Sequence, residues 1–228
     1  MKFIREDRDQ AVATIAETII QGLYDNGGLV WLVSGGSNIE PQCAVMAAVK
    51  RECSDEQIAR MMIVAVDERY GSPGHDDSNY AQLHRAGFDP GTASWVDVLA
   101  AGTTFDETVQ AYDKLMRQIL DAATTVVATL GLGADAHTAG ILPESPATQD
   151  TDQMVLGYEW KDYRRMTSTR RVLLRTTTTY VLAYGESKHD ALRRLNDNNE
   201  TFVQLPSRVL YELPSVYVYN DLISEGGI

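Results

Sequence analysis

Apolar positions recur along this chain with two different periods. From residue 8 to 25, Val12, Ile15, Ile19 and Leu23 stand three or four apart with polar residues between them, the pattern of an amphipathic helix covering one face of a sheet. Asn26-Gly27-Gly28 would end that helix. Six short apolar runs have turn residues at their ends: Leu29–Val33, Met61–Val66, Val96–Leu99, Thr125–Leu130, Tyr180–Tyr184 and Val216–Tyr219. Runs this short, continuous and β-branched predict strands buried on both faces. Helical segments are expected between them near 41–52, 106–121, 187–196 and 203–211, with Pro41 in the first turn of its helix. Strands alternating with helices at this spacing predict an α/β fold, a doubly wound, mostly parallel sheet with helices on both faces. No internal repeat or long linker interrupts the pattern, and a single domain over residues 1–228 is expected. The threonine tract Thr176–Thr179 reads as a small compositional bias and Gly226-Gly227 as a frayed end.

Composition narrows the function classes. With 44% hydrophobic and 23% charged residues over 228 positions, the chain has an ordinary globular make-up. It contains no apolar run of about 18 residues, and residues 1–9 are too charged for a signal peptide, so a soluble, cytoplasmic protein without a membrane partner is expected. Cys43 and Cys53 belong to no metal-spaced cluster, which predicts free thiols and no metal site. A net charge of −12 disfavours nucleic acid as a partner, because such binding relies on clustered Lys and Arg to displace counterions. An anionic ligand would need a site built locally from a few arginines, a lysine and backbone N–H groups.

Four places along the chain offer such groups. Ser34-Gly35-Gly36-Ser37-Asn38 follows the first apolar run and would present backbone N–H groups and hydroxyls to a phosphate, although a plain strand-to-helix turn would read the same way. It is neither a Walker loop nor a GxGxxG fingerprint. Asp67-Glu68-Arg69 closes the second run, with His75 and Ser78-Asn79-Tyr80 beyond it. The alternative reading is a surface ion-pair cluster. Gly131-Leu132-Gly133-Ala134-Asp135-Ala136-His137 follows the fourth run, and its glycines let the chain turn and deliver an acid and an imidazole together at a sheet edge. A neutral imidazole there could take a proton from water, with Asp135 fixing its tautomer. Finally, Arg170-Arg171 precede an apolar stretch, and Lys188, in Gly185-Glu186-Ser187-Lys188, stands near the start of a helix, an unfavourable place for a cation unless an anion lies between it and the helix dipole.

Taken together these motifs resemble the 6-phosphogluconolactonases, within the wider family that also holds the glucosamine-6-phosphate deaminases. Ser34–Ser37 is similar to that family's SGGSTP loop, Asp67–Arg69 with Ser78–Tyr80 to its DER…SNY segment, Gly131–Ala139 to its GxGxDGHTA motif and Gly185–Lys188 to its late GxxK. The resemblance runs in order over roughly residues 10–220, and the ordered combination is far more specific than any one motif. It implies a modified Rossmann-type fold, no cofactor, and hydrolysis of a small phosphorylated sugar lactone, 6-phosphoglucono-1,5-lactone, to 6-phosphogluconate in the oxidative pentose phosphate pathway. It also implies roles. The phosphate would lie on Ser34, Gly35, Gly36 and Ser37 with Lys188 and one of Arg170 and Arg171, and Asp67, Glu68 and Arg69 would line the cleft. His137 would be the general base, and backbone N–H groups or Arg69 would stabilise the oxyanion.

Within the wider family the deaminases follow their histidine with a pattern like HIAFNEPG, whose glutamate assists ring opening. Here Leu142 takes that place and Glu144 lies beyond Pro143, which favours the lactonase. A deaminase-like isomerase, a sensor that binds a sugar phosphate without turnover, and a lactonase for another phosphorylated aldonolactone are the rival readings. The chain departs from the family pattern at Asn38-Ile39 in place of Thr-Pro, at Gly71 and Gly140, and at Ala136 in place of a glycine. A positive φ at Ala136 would cost roughly 1 kcal/mol. The Pro-rich lead-in to the family's late arginine is absent.

Overall fold

The computed structural model describes residues 1–25, 27–161 and 163–224. Asn26 and Gly226-Gly227, named above as a helix stop and a frayed end, lie outside the described residues. The apolar runs, joined by Lys2–Arg5 at one edge, form a seven-stranded sheet in which every neighbouring pair is parallel. Its strands are β1 (Lys2–Arg5), β2 (Leu29–Val33), β3 (Met61–Ala65), β5 (Ser94–Val96), β6 (Thr125–Gly131), β9 (Thr178–Ala183) and β10 (Val216–Asn220), in the spatial order β1-β10-β9-β6-β2-β3-β5. Three further strands, β4 (Asp67–Arg69), β7 (Val155–Trp160) and β8 (Tyr163–Ser168), make a small antiparallel sheet in the order β4-β8-β7.

Burial explains the layering. All five residues of β2 are buried, with Leu29, Trp31 and Val33 in one apolar cluster and Val30 and Leu32 in another. Helices α1 (Arg8–Tyr24) and α2 (Ile39–Glu52) cover the first face through Ile15, Ile19, Leu23, Val45 and Val49, and α5 (Phe105–Ala122) and α7 (His189–Asp197) cover the second through Tyr112, Met116, Leu192 and Leu195. The expected doubly wound arrangement is therefore present, each side chain of a central strand having helix to pack on. Short helices α3 (Asp55–Ile58), α4 (Asn79–Arg85) and α6 (Arg170–Leu173) fill the connections. Both long helices begin where the sequence supplies a cap: Asp7 accepts from Gln10 N at 2.9 Å, and Thr104 and Glu107 form a reciprocal capping box. Among the described residues no helix is long and apolar enough to cross a membrane.

Three expected elements differ. The run Val96–Leu99 pairs only over Ser94–Val96, because the Asp97 side chain accepts the Leu99 N–H at 2.9 Å and turns the backbone out of the ladder. The segment expected as a helix at 203–211 is a 3₁₀ turn over Pro206–Glu212, since Pro206 has no N–H to give an α-helix and biases Leu205 away from helical geometry. Arg170 and Arg171 do not lead into a strand; they sit in α6, seven or more residues before β9.

Starting from β2, the chain builds β3 and β5 to one side and then reverses, placing β6, β9 and β10 on the other. The reversal falls between β2 and β6, whose carboxyl ends carry the Ser34 and Gly131 turns. In open parallel sheets, ligands bind at such a crevice. One buried bond ties the two strands below it, from Trp31 Nε1 to Thr129 Oγ1 at 2.9 Å. Replacing Thr129 with Val leaves the indole N–H buried without a partner, so urea unfolding should report a loss of about 1–3 kcal/mol.

Candidate active site

The turn after β2 is used from both sides. Ser34 is 6% exposed and its groups are spent inside the protein: its N–H donates to Gln42 Oε1 at 2.9 Å, its carbonyl accepts from Gln42 Nε2 at 2.7 Å, and its hydroxyl donates to Thr129 O at 2.9 Å. Asn38 Nδ2 adds a bond to Ser34 Oγ at 2.8 Å, so the asparagine in place of threonine ties the loop down from within. Ser34 lines the pocket at the switch point as expected, with both of its donors committed inside the protein. Gly35, Gly36 and Ser37 remain, opening a 3₁₀ turn that runs directly into α2. The first N–H groups of such a turn have no partner within it. Gly36 has φ 66°, and a Cβ on Gly35 would stand 2.0 Å from Asn79 Oδ1, so both glycines are required where they stand.

The turn after β6 delivers the acid and the imidazole. Gly133 N donates to His137 O at 2.8 Å and Ala136 N to Gly133 O at 2.9 Å, closing a tight loop in which Ala136 takes φ 67°. Alanine therefore occupies the left-handed position that the sequence marked as strained. Inside the loop, Asp135 Oδ1 accepts from His137 N at 3.2 Å and lies 2.5 Å from His137 Nδ1. The carboxylate can only accept, so Nδ1 carries the hydrogen and Nε2 keeps the lone pair. Burial pushes the Asp135 carboxyl up, but the hydrogen bond and charge of His137 outweigh it and hold the group at about 2, against 3.8 for a free aspartate. A depressed carboxyl stabilises the fold above its unfolded value and loses that contribution as pH falls through the folded one. The stability advantage of the parent over Asp135→Asn should therefore shrink as pH falls from about 4 to 2 in acid-unfolding curves.

The opposite wall comes from the small antiparallel sheet. Asp67 and Arg69 of β4 line the pocket, and β4 pairs with β8 so that Arg69 stands directly opposite Arg165. Arg69 is aimed by its neighbours: one guanidinium nitrogen donates to Asp77 O at 3.0 Å and to Asn79 Oδ1 at 2.9 Å. Its Nε and that of Arg165 are both buried without a partner. Asp67 is 7% exposed, and its carboxylate has no hydrogen-bond partner among the described residues. Lys188, at the end of the 3₁₀ turn Glu186–Lys188, completes the lining. That turn is tethered by Asp221, which accepts from Gly185 N at 2.9 Å and pairs with His189 Nε2 at 3.1 Å. Among the described residues none of Arg69, Arg165 and Lys188 is in an ion pair, so three cations converge on one cavity of about 190 Å³ in an acidic protein.

Three expected site residues lie elsewhere. Arg170 and Arg171 face a separate surface groove, where Arg170 pairs with Glu212 and Asp150 and Arg171 with Asp152. Each already has a carboxylate partner, and neither lines the pocket. Glu68 is fully buried and points away from the pocket, as alternation along a strand requires. In place of the Arg170-Arg171 pair, the pocket holds Arg165, which the sequence motifs do not mark. Asn79, seen in sequence only as part of Ser78-Asn79-Tyr80, also belongs to the lining.

Fold and site together define an α/β protein with a pocket lined by three cations and one histidine–carboxylate pair at the switch point of its sheet. Residues 6–217 match the family of glucosamine-6-phosphate isomerases/6-phosphogluconolactonase, and the chain belongs to it. A 6-phosphogluconolactonase from Bos taurus is 26% identical over 201 residues, 82% of this chain and 78% of that protein. The crystal structure of a 6-phosphogluconolactonase from Shewanella baltica superposes with a TM-score of 0.75 at 19% identity, covering 96% of each chain. A monomeric glucosamine-6-phosphate deaminase superposes equally well, with a TM-score of 0.76 at 16% identity over 96% of this chain and 97% of the deaminase.

Gly133 tests whether this loop is needed for chemistry. A Cβ there would lie 2.1 Å from His137 Nδ1 and 2.5 Å from Asp135 Oδ1, displacing the pair by the order of an ångström. Turnover by Gly133→Ala should fall at least about 100-fold in a protein that still folds, as judged by its circular dichroism.

Proposed function

We propose that this chain hydrolyses 6-phosphoglucono-1,5-lactone to 6-phosphogluconate, a cytoplasmic step of the oxidative pentose phosphate pathway. The observation that carries the reading is the Asp135–His137 pair opening onto a pocket with three cations free of ion pairs. The phosphate lies against the N–H groups of Gly35, Gly36 and Ser37 with Lys188 and Arg165. His137 Nε2 takes a proton from water as its oxygen attacks the lactone carbonyl carbon, and Asp135 stabilises the resulting imidazolium. Arg69 or nearby backbone N–H groups stabilise the oxyanion. As the tetrahedral intermediate collapses, the bond from carbon to ring oxygen breaks and the imidazolium returns the proton to that oxygen. No redox change occurs, and the carboxyl product ionises in water.

A second member of the family's chemistry, the aldose–ketose conversion of the deaminases, needs a further acid–base group. Leu142 occupies the corresponding position and lines the pocket, whereas Glu144 does not reach it. This supports hydrolysis over isomerisation.

Freshly generated 6-phosphogluconolactone should disappear faster with the parent than spontaneously, and His137→Asn should lower kcat by about 10²–10⁴-fold. Full turnover by the variant would remove His137 from the role of base. No acceleration by the parent would remove the lactonase reading, and ammonia release from glucosamine 6-phosphate would then decide for or against a deaminase.

A further inference from the structure

We infer that Glu68 is a positioning residue for the anion-binding wall, an inference that rests on the pocket being the substrate site. Its side chain is 0% exposed and gathers four donors from two separate segments. One carboxylate oxygen accepts from Arg69 N at 2.8 Å and Asn79 N at 2.7 Å, and the other from Ser78 Oγ and Tyr80 N, both at 3.0 Å. All four donate to the carboxylate, three of them backbone N–H groups that can only donate and the fourth a hydroxyl that already accepts from Ala81 N at 3.1 Å, so the anion is the form this nest satisfies. Burial raises the Glu68 pKa and the three backbone N–H groups work against that rise.

What the nest achieves is geometric. Asp67 and Arg69 face the pocket while Glu68, between them on β4, faces the opposite way and grips the start of α4. By holding Arg69 N and Asn79 N on a single oxygen, the carboxylate sets the separation between the two residues. Asn79 Oδ1 then accepts from the Arg69 guanidinium at 2.9 Å, its Nδ2 donates to Asp67 O at 2.8 Å, and the same Oδ1 abuts Gly35 of the phosphate loop. Glu68 thus acts on the ligand through Arg69 and Asn79, without touching it.

The test is a pair of double-mutant cycles, Glu68→Gln with Arg69→Lys and Glu68→Gln with Lys188→Met, read as kcat and KM for the lactone. In either orientation Gln turns its amide N–H₂ toward at least one backbone N–H that can only donate. The expected result is a loss in kcat/KM of at least about tenfold, in the same parameter that Arg69→Lys changes, with the first double variant little worse than its poorer single and the second cycle additive. A folded Glu68→Gln within twofold of the parent overturns the inference. So does additivity with Arg69→Lys, or equal coupling to Lys188, which would mark a general loosening of the fold. Where Glu68→Gln does not fold, Ser78→Ala removes one donor and keeps the backbone three; a loss in the Arg69 parameter supports the inference and an unchanged parameter overturns it. A parent that binds inorganic phosphate but does not turn over the lactone sinks only the lactonase reading, and the same cycles are then read as phosphate dissociation constants by calorimetry. A parent that does neither sinks both.

Discussion

A parallel strand with helices on both faces can keep an unsatisfied polar group only at its ends, and that constraint locates the first wall of the pocket. Along β2 and β6 the interior is apolar except for Thr129, which is itself bonded to Trp31 and contributes its carbonyl to Ser34. The two turns that follow these strands meet at the reversal of strand order. There the glycine positions accept what side-chain-bearing residues would resist: Gly35 lets Asn79 approach, and Gly133 makes room for the histidine–aspartate pair. Ala136 shows the constraint from the other side. Its left-handed backbone costs about 1 kcal/mol or somewhat more, while its fully buried methyl returns about 0.8 kcal/mol of transfer energy, so alanine is tolerated where a glycine is the usual choice.

The pocket's second wall has a different logic. Like charges directly opposite on antiparallel strands repel, yet β4 and β8 set Arg69 against Arg165. The arrangement persists because each guanidinium is locally supported, Arg69 by Asp77 and Asn79 and Arg165 by the face of Tyr163 at 5.3 Å. An arriving dianion would relieve the repulsion. In the proposed reaction the product carries one more negative charge than the lactone, and a chain of net charge −12 favours its departure once the ester bond is broken.

What was legible in the sequence follows the same physics. The core strands could be read because burial on both faces writes itself as unbroken apolar runs, and the Gly131–His137 turn because glycines and a lone imidazole stand out against such runs. The small sheet could not. A three-residue β4 and the charged stretch Tyr163-Arg164-Arg165 carry no apolar period, and their pairing is decided by tertiary contact rather than propensity. Hence the sequence points to the more conspicuous Arg170-Arg171 pair rather than to Arg165, although exposed carboxylates already neutralise both arginines of the pair. Adjacency in sequence groups Glu68 with Asp67 and Arg69; strand alternation sends it to the other face.

The fold itself does not choose the reaction, since a glucosamine-6-phosphate deaminase and a 6-phosphogluconolactonase superpose on this chain about equally well. The choice lies in how many proton-transfer groups the pocket holds and where. After His137 the backbone makes two more left-handed turns, at Ala139 and at Glu144, and Glu144 N donates to Val203 O at 2.8 Å. That bond fixes Glu144 against the 203 segment, away from the pocket, and leaves Leu142 facing the site. Moving a proton between sugar carbons needs a group at each end of the transfer. Opening a lactone needs one, because in the proposed reaction the proton that His137 takes from water is the proton the departing ring oxygen requires.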